Sequence, residues 1–161
     1  MSLPAHRFLD DSGIPYQKLS FSPDSEKGAA SVANALGYDP RQMVKTLIFQ
    51  AGIGELVLVM LAGDANAVSG HLKKAIGSRN VKLAGPESVK EATGYQIGSI
   101  PPFHWQPPDF RSFIDAALIG EDLLGVGAGV WGQEIMIVPQ HLVQASRAVV
   151  VNLTHRPESV S

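Results

Sequence analysis

The chain has 161 residues, 45% apolar and 17% charged, with a formal net charge of −2 and no cysteine. That length suits one domain with its own core, and the lack of cysteine excludes disulfides, thiolate nucleophiles and cysteine-based metal sites. The near-neutral balance offers no global attraction to nucleic acid, and no apolar run approaches the roughly 18 residues that a membrane span needs.

In chain order, residues 4–11 read as a short helix closed by Gly13, and 16–21 as a strand. His6, Arg7, Asp10 and Asp11 interrupt any signal-peptide-like stretch, so the cytoplasm is the expected compartment. Ser25 is positioned to cap a helix over 26–36, with Gly37 beyond its end. The runs 43–50 and 55–62 are apolar and rich in β-branched residues, and Ala51-Gly52-Ile53-Gly54 between them predicts a hairpin. A helix is predicted over 69–76, a short strand over 81–84, and a helix over 86–93 with proline in its first turn. Four prolines within 101–109 exclude both helix and central strand there. Strands are expected at 110–114, 124–128, 133–138 and 148–153, with a helix at 139–145. Residues 1–153 read as one domain and 154–161 as a frayed tail. Strands, hairpins and helices intermixed in this way predict a mixed α/β fold with helices outside the sheet.

Two segments carry chemistry. Gly94-Tyr95-Gln96-Ile97-Gly98-Ser99-Ile100-Pro101-Pro102-Phe103 follows the helix over 86–93 and reads as a stiff loop with bare backbone at Gly98. Such a loop can present backbone N–H groups to a carbonyl or oxyanion, although a tight connection between core elements would look the same. Met43-Val44-Lys45-Thr46-Leu47-Ile48-Phe49 reads as a buried strand holding one cation. A lysine there needs a partner or a task, or snorkels from the strand end to solvent. Asp64 and Asp115 are candidate partners, and both read as structural residues.

Other motifs fail their context. Gly127-Ala128-Gly129-Val130-Trp131-Gly132 matches G-x-G-x-x-G, but a strand-like run follows it, so no helix N-terminus can hold a pyrophosphate. The five histidines form no i, i+4 pair, and no metal site is expected. Asp10-Asp11 and Glu121-Asp122 are adjacent, so their side chains point apart and form no acid/base dyad. No G-x-S-x-G elbow supplies a serine nucleophile. Lys73, Lys74, Arg79 and Lys82 form a local basic cluster, readable as a phosphate contact or as a solvated face.

The ordered set Lys45-Thr46, Gly63-Asp64, Thr93-Gly94-Tyr95 and Gly98 to Pro102 resembles the YbaK and prolyl-tRNA-synthetase-associated editing domains, over roughly 14–153. The resemblance implies a compact α/β domain with a mixed, partly barrel-like sheet. It implies a free-standing trans-editing deacylase that hydrolyses the ester of a mischarged tRNA, with prolyl-tRNA synthetase as the associated synthetase. It casts Lys45, Gly98 and Ser99 as catalytic. Phe21, Met43, Leu47, Ile100, Pro101, Pro102 and Gly129 would bind substrate, with no cofactor and no membrane or DNA partner. The family's Gly-rich turn usually carries basic residues where Val130 and Trp131 stand here, and Glu134 matches an acidic position beside it. Two readings of other classes stay open: a non-catalytic tRNA- or synthetase-binding module, and a nucleotide-binding protein using the glycine-rich turn.

Overall fold

A computed structural model describes residues 2–154. Its centre is the hairpin of strands β2 (Val44–Ala51) and β3 (Glu55–Ala62), paired in register from Val44↔Ala62 to Ala51↔Glu55. Strand β3 reads as an unbroken apolar run because both of its faces are buried. Leu58, Met60 and Ala62 enter the main core, while Val57, Val59 and Leu61 enter a second core on the opposite face. The remaining strands are β1 (Gln17–Ser20), β4 (Val81–Leu83), β5 (Ser112–Asp115), β6 (Leu124–Gly127), β7 (Gln133–Ile137) and β8 (Val149–Val151).

They form two sheets. The larger has the order β4-β2-β3-β5-β8, with β3, β5 and β8 parallel; the smaller, β1-β7-β6, is antiparallel throughout. One parallel bridge, Met43↔Gly125, joins them. The main core lies between the sheets, around Leu9, Ile100, Phe103, Ile114, Leu124, Ile135 and Leu142. Five helices surround it: α1 (Pro4–Ser12), α2 (Ala29–Leu36), α3 (Ser69–Ile76), α4 (Pro86–Thr93) and α5 (Pro139–Ser146). Helix α3 covers the second core with Leu72 and Ile76. The expected mixed α/β class holds, with the sheet divided in two.

Most local boundaries differ from the expected ones by one to three residues. Helix α2 begins at Ala29 behind Gly28, not at Glu26 behind Ser25. The Ser25 N–H is bound to the Ser22 carbonyl in a preceding turn (3.0 Å), which holds this stretch out of the helix. Strand β1 ends at Ser20, β5 starts at Ser112, and β8 spans Val149–Val151, each shorter than expected. Residues 101–109 are irregular, as their prolines require, and are tied internally by Trp105 Nε1 donating to the Pro101 carbonyl (2.6 Å). Of the expected tail, 155–161 lies outside the described residues. Thr154 is described, and its hydroxyl and N–H donate to the buried Asp115 carboxylate.

Candidate active site

The division of the sheets creates the cavity. Strands β2 and β6 touch at Met43↔Gly125 and are not paired beyond it. Strand β4 pairs only with residues 49–51 of β2, so the outer edge of β2 over 44–47 has no strand beside it. A cleft of about 350 Å³ opens along that edge. This volume lies at the small end of ligand sites, roughly 300–1,000 Å³.

Val44, Lys45, Thr46 and Leu47 form one wall of the cleft, and Ile97, Gly98 and Ile100 form another. Gly127 and Glu134 close it from the smaller sheet, with Trp131, Lys27 and the start of α2 at its rim. Gly127 permits this closure: a Cβ there would sit 3.0 Å from the Ser99 carbonyl, so any side chain would push the Gly98 loop off β6. Gly98 has φ 104°, a conformation that L-residues rarely adopt, and open space lies where its side chain would be.

The ten residues singled out in the sequence divide evenly. Lys45, Met43, Leu47, Gly98 and Ile100 line the cavity. Phe21, Ser99, Pro101, Pro102 and Gly129 do not. Phe21 packs behind the rim, edge-on to Trp131 at 4.7 Å. The Ser99 N–H turns into the loop, toward the Gln96 carbonyl at 3.4 Å. Pro101 and Pro102 are buried behind the cavity, and their carbonyls accept from the Trp105 and Gln106 side chains. Gly129 rests against the Tyr95 ring, 2.6 Å from where a Cβ would stand. The Tyr95 hydroxyl in turn shares a 2.5 Å hydrogen bond with His104 Nε2.

Lys45 is partly buried, and its ammonium donates to Asn66 Oδ1 at 3.3 Å. That partner is neutral, so the lysine's charge is not cancelled by it. Of the acids weighed as partners, Asp115 is buried elsewhere and accepts the backbone N–H of Leu153 at 2.7 Å.

Glu134, legible in the sequence only as an acid beside the glycine-rich turn, stands in the cavity wall. It is 7% exposed, and burial pushes its carboxyl up to about 8. Its signal in the sequence was an acid at the head of the apolar run Ile135-Met136-Ile137, on a strand whose neighbours could not be seen. Lys27, whose ammonium lies 3.9 Å from the centre of the Trp131 ring, was missed. Among the described residues, no three histidines, aspartates or glutamates come together as metal ligands.

The arrangement has the parts of an acyl-transfer site that needs no covalent nucleophile. It combines a cation, bare backbone on a stiff loop, apolar walls sized for a small group, and one acid whose carboxyl burial pushes up. The family model for the aminoacyl-tRNA editing domain matches residues 24–145, and the chain belongs to that family. It is 22% identical over 93% of its length to EbsC of Enterococcus faecalis, provisionally assigned as a Cys-tRNA(Pro)/Cys-tRNA(Cys) deacylase, covering 92% of that protein. It is 29% identical over 63% of its length to the multifunctional Ser/Thr-tRNA deacylase ProXp-y of Escherichia coli K12, covering 60% of it. Against the proline–tRNA ligase of Moorella thermoacetica, identity is 32% over 48% of the chain, which spans only 13% of that ligase. Among solved structures, one provisionally assigned as a trans-editing enzyme for prolyl tRNA synthetase superposes with a TM-score of 0.85 at 25% identity, over 97% of this chain and 99% of that one.

Proposed function

We propose that this protein is an aminoacyl-tRNA deacylase that acts in trans, in the cytoplasm, on tRNA mischarged with a small amino acid. Prolyl-tRNA synthetase is the synthetase whose errors it corrects. The observation that carries the reading is that a single cavity takes both Lys45 and the Gly98 loop. Membership of the editing family and the names of its relatives support the reaction type.

Hydrolysis of the ester begins with water adding to the carbonyl carbon. The carbonyl oxygen becomes an oxyanion, the bond to the ribose oxygen then breaks, and that oxygen takes up the proton that the attacking water gives up. Backbone N–H groups of Gly98 and Ile100 stabilise the oxyanion, an effect worth roughly 3–4 kcal/mol per donor in other enzymes. Lys45, released from Asn66, adds positive charge at the carbonyl or at the terminal phosphate. Val32, Met43, Leu47 and Ile100 bound the amino-acid pocket, and their bulk makes it a sieve for small side chains.

The test is release of amino acid from tRNA(Pro) charged in turn with alanine, cysteine and serine. The wild-type chain should release at least one of them, and Lys45→Ala should bind the same tRNA without release. Binding by the wild type with no release from any of the three would make the protein a tRNA-binding module instead.

A further inference from the structure

Three groups with ionisable side chains line the cavity: Lys27, Lys45 and Glu134. The two cations reach it from a loop and from β2, and each has a partner, Lys27 the Trp131 ring and Lys45 the Asn66 amide. Glu134 is different. The residue is more than nine-tenths buried, and among the described residues no hydrogen bond or ion pair engages its carboxyl. Strand β7 holds it between two neighbours, pairing Glu134 with Leu19 of β1 on one side and Gly127 of β6 on the other. Because Gly127 has no side chain, the Ser99 backbone packs directly onto β6, and Gly98, Gly127 and Glu134 come to line the same cavity. An acid fixed this rigidly in an apolar wall, with nothing in the protein to satisfy it, is a recognition group awaiting its partner.

We propose that Glu134 is the receptor for the α-ammonium group of the aminoacyl ester, and so the residue that separates a free aminoacyl ester from an N-blocked one. The proposal rests on the deacylase reading of this cavity. Every aminoacyl ester carries that ammonium beside the scissile carbonyl, whatever its side chain. An N-acetylated or peptidyl ester does not, and would leave the carboxyl unpartnered in a dry wall.

The burial that pushes the carboxyl up to about 8 supplies a second signature. In the empty site Glu134 is protonated at neutral pH. An arriving ammonium provides the counter-charge that the protein withholds, so the acid ionises and one proton is released. Lys27 and Lys45 are the charged groups facing the same space, and neither contributes to the rise, which comes from burial alone.

The experiment uses two hydrolysis-resistant probes: 3′-deoxy-3′-(L-alanylamino)adenosine and its N-acetyl derivative. Calorimetric titrations are run from pH 6 to pH 7.5, below the ordinary α-amino range of roughly 7.7–8.0. Wild type should bind the free-amine probe about tenfold or more tightly than the acetyl probe, as expected for a charge-assisted hydrogen bond. That affinity should rise with pH, with proton release visible as a dependence of the heat on buffer ionisation. Glu134→Gln keeps the shape and one donor but cannot ionise. It should bind the two probes within about twofold of each other and lose the pH dependence. Wild type that binds both probes equally overturns the proposal without recourse to any variant. So does a folded Glu134→Gln protein that keeps the preference for the free amine. If the wild type binds neither probe and releases no amino acid from any mischarged tRNA, the deacylase reading itself fails. If it deacylates without preferring the free amine, only the role of Glu134 fails.

Discussion

Replacing Glu134 with glutamine should change how stability depends on pH. The buried carboxyl is raised from an ordinary 4.5 to about 8 in the folded chain. Between those values the folded state holds a proton that the unfolded state has released, so stability falls as pH rises. Below pH 4.5 both states are protonated and nothing is lost. Above pH 8 both are ionised and the loss is complete. The separation is 8 − 4.5 = 3.5 units, or about 5 kcal/mol over the full window. From pH 5 to pH 8 the accessible part is about 3–4 kcal/mol, a large share of the roughly 5–15 kcal/mol that holds such a domain folded. Glutamine has no proton to release and lacks this slope. His6 and His104 slope the other way, since burial lowers both, and stability from them rises with pH through the ordinary histidine range near 6.5. Those contributions are common to both proteins and cancel in the difference. Urea denaturation of wild type and Glu134→Gln at pH 5, 6, 7 and 8 should therefore show the variant gaining on wild type at each step. A difference constant to within about 0.5 kcal/mol across the series would refute the reasoning, because the carboxyl would then be solvated in the folded chain.

Lys45→Ala should abolish deacylation with little change in melting temperature, since among the described residues the ammonium's one hydrogen bond is to Asn66; an active variant would remove Lys45 from the mechanism. Gly98→Ala meets no atom within 4 Å but stands at φ 104°, so it should cost about 1–2 kcal/mol of stability and far more in turnover. Activity that survives while the melting temperature drops would make Gly98 a fold residue alone. Gly129→Ala drives a methyl into the Tyr95 ring and should destabilise by roughly 2–4 kcal/mol, measured by the same urea series. NAD and ATP titrations should show no binding at this turn in the wild type, because Gly132 leads into β7 and not into a helix. Neutralising Lys73, Lys74, Arg79 and Lys82 together should weaken binding of all tRNAs alike and flatten its salt dependence. Lys82 pairs with Gln50, which lies about 17 Å along β2 from Lys45 at ordinary strand rise, a span a tRNA backbone can cover. An unchanged salt slope would make the cluster a solvated face.

Much of the fold is legible in the chain because it is decided within a few residues. Helices α1, α2, α3 and α4 end where Gly13, Gly37, Gly77 and Gly94 take the left-handed conformation, as their spacing announced. The β2–β3 hairpin follows from two apolar runs around a glycine-bearing turn. The Lys45 strand and the Gly98 loop stand out for a similar reason: a cation in an apolar run and glycine ahead of paired prolines are local anomalies. Even at this range one competitor was hidden, since Ser25 reads as a cap until Ser22 is seen to bind its N–H.

What only the tertiary structure decided is which distant segments meet. The cavity exists because β2 and β6 join at Met43 and Gly125 and then separate, and those residues lie 82 positions apart (125 − 43). Nothing in the sequence near Lys45 names Asn66 as its partner in place of Asp64 or Asp115. Nothing near Glu134 reports that Leu19, Gly127 and the Gly98 loop enclose it. Hydrogen-bonded caps and turns act over one helical turn of chain and leave a mark in the residue order. Desolvation of a carboxyl, by contrast, depends on the sum of atoms around it, contributed by segments that only folding brings together.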